Sequence, residues 1–170
     1  MTHYFTVDRE KTLRSGQRIN LVKYSNVNPQ ELQNHVSYLF PQGVTSHGER
    51  YLLRGETPAM GVEPIIEILF EYVRRSQFPL CPSRFQSFFA CETLRDAEEF
   101  KKRYSKPENL IWEVDAKRAF KADLKLLTLK CSLLTLSYYA NRYWSGLPSG
   151  DDPFWELLLI PPVKVIRQRR

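Results

Sequence analysis

At 170 residues, 42% of them hydrophobic and 13% aromatic, the chain carries enough apolar matter for a core, which excludes global disorder and favours one domain over residues 1–170. Lys and Arg number 25 against 19 Asp and Glu. The resulting charge of +6 suits a nucleotide, a nucleic acid or an acidic protein surface, though part of it lies in Arg167-Gln168-Arg169-Arg170, which reads as a solvated tail.

In chain order, Thr2 to Val7 is aromatic and β-branched and reads as a short strand. Arg14-Ser15-Gly16-Gln17 is a turn, and Ile19 to Tyr24 alternates as a strand does. Asn28-Pro29-Gln30-Glu31 is a helix start, with Asn28 as cap, Pro29 in the first turn and Glu31 reaching back. That helix runs to about Leu39 and stops before Pro41. His47 to Glu56 is polar, with Tyr51-Leu52-Leu53 as a brief strand or extended loop. Val62, Ile65, Ile66, Leu69, Phe70 and Val73 fall at the spacing of a buried helical stripe that ends before Pro79. Arg84 to Ala90 reads as an aromatic strand, with Phe85, Ser87 and Phe89 on one face. Thr93 to Asp96 caps a helix that turns Leu94, Ala97, Phe100 and Tyr104 inward. Leu110 to Val114 is a strand, and Leu129, Leu133, Leu136, Ala140 and Tyr143 mark a last helix. Its end tyrosines and Trp144 read as packing. Leu157 to Ile160 and Val163 to Ile166 are strand material around Pro161-Pro162. Strands and helices mix without strict βαβ alternation, which favours α+β.

Cys81, Cys91 and Cys131 are odd in number and lack CxxC spacing, which argues against a disulfide framework or a zinc site and fits a reducing compartment. His3, His35 and His47 are too dispersed to suggest a metal cluster, so no metal is expected. No basic-then-apolar leader and no apolar run of transmembrane length occurs, so the expectation is a soluble, cytoplasmic protein with no membrane partner. Dinucleotide-binding GxGxxG, P-loop, HExxH and GxSxG motifs are absent.

One acid stands out. Glu156 lies between the bending loop Gly146 to Pro153 and the apolar run Leu157 to Ile160. A carboxylate at a core edge costs several kcal/mol unless it is paired or left at a strand mouth, where it can face a developing cation. Two other polar stretches sit on strands: His3-Tyr4-Phe5-Thr6, and Ser83-Arg84-Phe85-Gln86-Ser87.

In that order the three places resemble the ADP-ribosyltransferase superfamily, in which a first strand carries a His-x-Thr-like or Arg motif, a middle strand a Ser or Tyr motif, and a glutamate leads a late strand. The Ala-x-x-Phe helix that follows, Ala97 to Phe100, matches the same order, and Phe78-Pro79 with Pro82-Ser83-Arg84-Phe85-Gln86-Ser87, and Tyr143-Trp144 with Trp155-Glu156, are similar to a bacterial and phage group of uncharacterised domains related to these transferases. The resemblance implies an ADP-ribosyltransferase-like split β-sandwich with flanking helices and a cleft between two sheets. It implies NAD as substrate, held by His3, Tyr4, Phe5, Thr6, Ser83 and Arg84, with Glu156, Arg84 and Ser87 as the catalytic set. Glu156 would steady an oxocarbenium-like cation, Arg84 would pair with the pyrophosphate, and Ser87 would fix a ribose or the glutamate. Tyr4, Phe5 and Phe88 would stack on nicotinamide or adenine. A setting in bacterial or phage conflict follows, with an inhibitor or antitoxin as a partner. The sequence also departs from the pattern. His3 to Thr6 is one residue longer than His-x-Thr, Arg54-Gly55 lies far from the first strand, and Phe154 replaces a second acid. That last departure argues against an arginine acceptor and leaves other protein residues or nucleic acid. Glu113 and Asp115 form a rival acid pair, and Arg84 has structural alternatives in Glu63, Glu67 and Glu71. A non-catalytic basic binding module and an NAD hydrolase are the competing functions.

Overall fold

The computed structural model describes residues 3–55 and 64–169. Thr2, Glu56, Val62, Glu63 and Arg170, which figure in the expectations above, lie outside them. The element order is β1 His3–Asp8, β2 Arg18–Ile19, α1 Gln30–Leu39, α2 Ser46–Gly48, a π-helical turn Glu49–Leu53, α3 Pro64–Gln77, a 3-10 turn Arg84–Gln86, β3 Phe88–Ala90, α4 Leu94–Tyr104, β4 Leu110–Asp115, β5 Ala119–Asp123, α5 Leu133–Trp144, β6 Trp155–Leu159 and β7 Val163–Arg169. The class is α+β, with two antiparallel sheets ordered β1-β4-β7-β2 and β3-β6-β5. Among the described residues no helix is long and apolar enough to cross a membrane.

Strand alternation builds the layers. Trp112 and Val114 of β4, Leu157 and Leu159 of β6, and Val163 and Val165 of β7 meet between the sheets. The next residue along β6, Leu158, points the other way, into a cluster with Ile66 and Phe70 of α3 and Leu136, Ala140, Tyr143 and Trp144 of α5. Fully burying side chains such as Phe70 and Leu158 contributes about 1.5–3 kcal/mol each. Trp144 Nε1 is satisfied by the Phe70 carbonyl at 2.8 Å, so Trp144 is a packing residue as expected. On the outer side, α4 covers Phe5, Val7 and Ile111 through Leu94, Ala97 and Phe100. One antiparallel bridge joins the two sheets at their edges: Phe5 and Cys91 exchange backbone hydrogen bonds of 3.0 and 2.6 Å.

Several expectations need correction. The segment from Arg84 is a 3-10 turn, with only Phe88–Ala90 as strand, because Ser83 Oγ accepts the Phe85 N–H at 3.2 Å and closes the backbone. Tyr51 to Leu53 is π-helical rather than extended. The strand expected over Ile19 to Tyr24 shrinks to Arg18–Ile19 plus a bridge at Val22. Pro29 is the cap position of α1, with no side-chain cap. Ile65 and Leu133 face outward instead of joining their stripes. Leu129 precedes α5. The tail is more than a solvated end: Arg167 and Gln168 are exposed, but Arg167 and Arg169 belong to β7 and both pair with Glu113, at 2.9 and 2.6 Å. Thr93 caps α4 as expected, accepting the Asp96 N–H at 3.1 Å.

Candidate functional site

The 3-10 turn aims Arg84 inward. Ser87 Oγ donates to the Ser83 carbonyl at 2.7 Å, and Thr45 Oγ1 donates to the Ser87 carbonyl at 2.9 Å, so the turn is tied from within and from the segment before α2. Arg84 is 2% exposed. Its Nε and Nη2 grip Glu67 of α3 bidentately at 2.8 and 3.0 Å, while Nη1 donates to Glu156 Oε1 at 2.5 Å and to the Tyr143 hydroxyl of α5. Tyr143 Oη in turn donates to Glu156 Oε1 at 2.7 Å. Among the described residues, both hydrogen bonds to Glu156 fall on Oε1, which leaves Oε2 open. The Arg84 guanidinium also lies 4.7 Å over the Phe89 ring.

Glu156 reaches this position because the preceding loop is clamped. Asp123, at the end of β5, accepts the Ser149 N–H at 2.7 Å and the Phe154 N–H at 2.9 Å, and Gly146 at φ +68 turns the chain out of α5. Phe154 packs on Phe100 and Tyr104 of α4, so an apolar contact occupies the place where a second acid was sought.

Two carboxylates surround one guanidinium, and for Arg84 and Glu67 the charge partners overcome burial, whereas for Tyr143 the shift follows burial. For Arg84, burial pulls downward, but Glu156 and then Glu67 raise it well above its ordinary value. For Glu67, burial pushes upward, and the Arg84 guanidinium followed by His47 overcomes it, holding the carboxyl well below its ordinary value. Burial lifts the Tyr143 phenol, and Glu156 adds to the lift against Arg84. His47 Nε2 stands 3.2 Å from Glu67 Oε1, outside hydrogen-bond alignment, with its ring between Tyr51 and Phe89 at 4.5 and 4.6 Å. Gly48, next along α2, permits this: a Cβ there would stand 2.5 Å from the Phe85 carbonyl oxygen.

A cleft of about 400 Å³ opens beside the network, with Thr6, His47, Tyr51, Arg84, Ser87 and Glu156 among its walls. That volume suits a small-molecule ligand. A carboxylate with one oxygen clamped and one open can steady a cation or accept a hydroxyl proton. Among the described residues no group of His, Cys, Asp and Glu is placed to hold a metal ion.

A family model described as "Protein of unknown function (DUF2441)" matches residues 4–169. The chain belongs to the DUF2441 family. No curated protein matches its sequence.

The matched region takes in Glu67, Arg84, Tyr143 and Glu156, and begins one residue past His3. In this DUF2441 chain the cleft gathers Glu156, Arg84, Ser87 and Thr6 from the sequence-derived set, and Thr6 Oγ1 donates to the Phe89 carbonyl at 2.8 Å. Phe88, expected to stack on nicotinamide or adenine, also lines it, but His3, Tyr4, Phe5 and Ser83 do not. His3 is exposed and pairs with Glu113 at 2.6 Å, Tyr4 packs between the sheets, and Phe5 lies under α4. Ser83 donates to Glu71 at 2.8 Å, behind Arg84. Glu113 is spent on His3, Arg167 and Arg169, and Arg54 on Glu49, so neither joins the cleft. Of Arg84's alternatives, Glu67 is the partner, whereas Glu71 holds Arg74, Arg75 and Ser83. Sequence reasoning missed His47 and the hydroxyl role of Tyr143. The available signal for His47 was a histidine just before a glycine in a polar stretch, which is weak.

Proposed function

We propose that this chain is an NAD-dependent ADP-ribosyltransferase with the split β-sandwich of that superfamily, acting on a protein or nucleic-acid acceptor. The observation that carries this is Glu156: a carboxylate at the mouth of β6, clamped through Oε1 by Arg84 and Tyr143 and open at Oε2 on a cleft wall.

When the glycosidic C1′–N bond of NAD breaks, its electron pair leaves with nicotinamide, which departs neutral, and positive charge spreads over C1′ and the ribose ring oxygen. Glu156 Oε2 opposes that charge or holds a ribose hydroxyl. Preorganised groups of this kind contribute several kcal/mol to a transition state. An acceptor lone pair then forms the new bond to C1′, and its proton passes to His47 or to water. Arg84 spends its donors on Glu67, Tyr143 and Glu156, so it is a positioning residue; Arg9 and Arg18 on the cleft wall are left to meet the diphosphate. Three free thiols suit a cytoplasmic setting. A role in bacterial or phage conflict, with an inhibitor or antitoxin partner, stays attached to the resemblance.

Following nicotinamide by chromatography during incubation with NAD tests this reading. Wild-type protein releases nicotinamide, and Glu156→Gln lowers the rate by about 10²–10³-fold at unchanged melting temperature. Absence of both NAD binding and nicotinamide release in the wild type overturns the reading. Free ADP-ribose as the sole product makes the protein an NAD hydrolase.

A further inference from the structure

A second cavity, of about 510 Å³, opens beside the cleft and shares Arg9, Glu10, Arg50 and Tyr51 with it as a common wall. Its remaining walls come from Lys11 and from the end of α4 through Asn109. Five cations, Arg9, Lys11, Arg50, Arg103 and Lys106, face two carboxylates, Glu10 and Glu108. Half of the chain's net charge of +6 thus converges on one hollow. The carboxylates do not quench it. Glu10 is taken by Arg50, and Glu108 stands a loose 3.9 Å from Lys11. Arg103 is partly spent on Glu99 and on the Phe154 ring, while the Lys106 side chain has no partner among the described residues. Ser105 Oγ, on the same wall, is buried without a hydrogen-bond partner among the described residues.

We infer that this hollow binds the phosphodiester backbone of a single-stranded nucleic acid and feeds it to the adjoining cleft as the acceptor. The inference rests on the transferase reading for the word acceptor, and on the hollow alone for the binding. Converging cations suit phosphate oxygens, and Tyr104, half-buried on the wall, offers an aromatic surface against which a base can stack. An acidic protein would need only the charge and would leave the Tyr104 ring unused.

The probe is a fluorescein-labelled oligothymidylate of about 15 nucleotides, titrated by anisotropy at several salt concentrations. Wild type binds with an affinity that falls steeply with salt. Arg103→Ala with Lys106→Ala weakens binding about tenfold and lowers the slope of log affinity against log salt by about 1 for each lost contact. Lys117→Ala with Lys164→Ala, exposed outside the hollow, stays within about twofold and shows that bulk charge is not responsible. Circular dichroism confirms that the variants fold. No binding by wild type, equal loss in both double variants, or equal competition by polyglutamate overturns the inference. Nicotinamide release measured without oligonucleotide reads the transferase hypothesis separately, so either idea can fail alone.

Discussion

Arg84 gives the clearest residue-scale consequence. Its removal strands Glu67 and Glu156, which are 2% and 6% exposed, without a cation. Breaking one member of a buried ionic set costs about 3–5 kcal/mol, because the charge left behind stays desolvated. Arg84→Met should therefore lose that much stability in urea denaturation, and adding Glu67→Gln should return part of it. A loss below about 1 kcal/mol would mean that the network does not hold α3 to β6. Glu156, Arg84 and the Glu67 option were visible in the sequence because each is a charged residue set in apolar surroundings. Tyr143 was visible as a helix-stripe residue and in the Tyr143-Trp144 resemblance, but its hydroxyl's role was not, since the target lies on another element.

At the scale of elements, the joint between α2 and the 3-10 turn sets His47 against Glu67. Gly48 allows it, because a Cβ there would meet the Phe85 carbonyl oxygen at 2.5 Å and Val44 Cβ at 2.6 Å, and the first of these is backbone. Gly48→Ala should destabilise by about 1–3 kcal/mol, as overpacking does. That corresponds to roughly 2–4 °C in melting temperature per kcal/mol for a chain of this size. An unchanged melting temperature would show that the contact relaxes freely. The regular helices were legible from periodicity and caps, Thr93 before α4 above all. The π-helical turn was not, because its widened backbone matches neither a 3.6 nor a 2 residue period. β5, Ala119–Asp123, was missed because its five residues hold no sustained alternation.

The molecule as a whole should have an asymmetric stability profile in pH. Glu67 and Glu113 are both held below their ordinary value of 4.5, Glu67 by Arg84 against burial and Glu113 chiefly by the Arg167 hydrogen bond. Their stabilisation is complete above that value and is lost as pH falls below it. Burial pushes the Cys91 thiol up from 9.0 to about 12 and raises the Tyr143 phenol above 10.0. The stability tied to those neutral forms is present below pH 9 and declines as pH climbs past it. Urea midpoints measured across pH should fall on both sides, with Glu67→Gln flattening the acid limb. A midpoint that holds constant from about pH 5 down to pH 3 would count against this. The α+β mixture could be read from the chain, but the sheet orders could not, since no local signal tells β1 that its partner is β4 a hundred residues on.

That long pairing has a consequence for biosynthesis. β1 leaves the ribosome before the other described strands, yet its one neighbour within its sheet is β4, and β4 needs β7 on its other side. Glu156 emerges later still than Arg84 and Glu67, which can pair with each other before it arrives. A nascent chain therefore holds its early helices but has neither the finished sheet nor the second carboxylate on Arg84 until β6 and β7 have been translated. Completion of the cleft by Glu156 is a late event in synthesis.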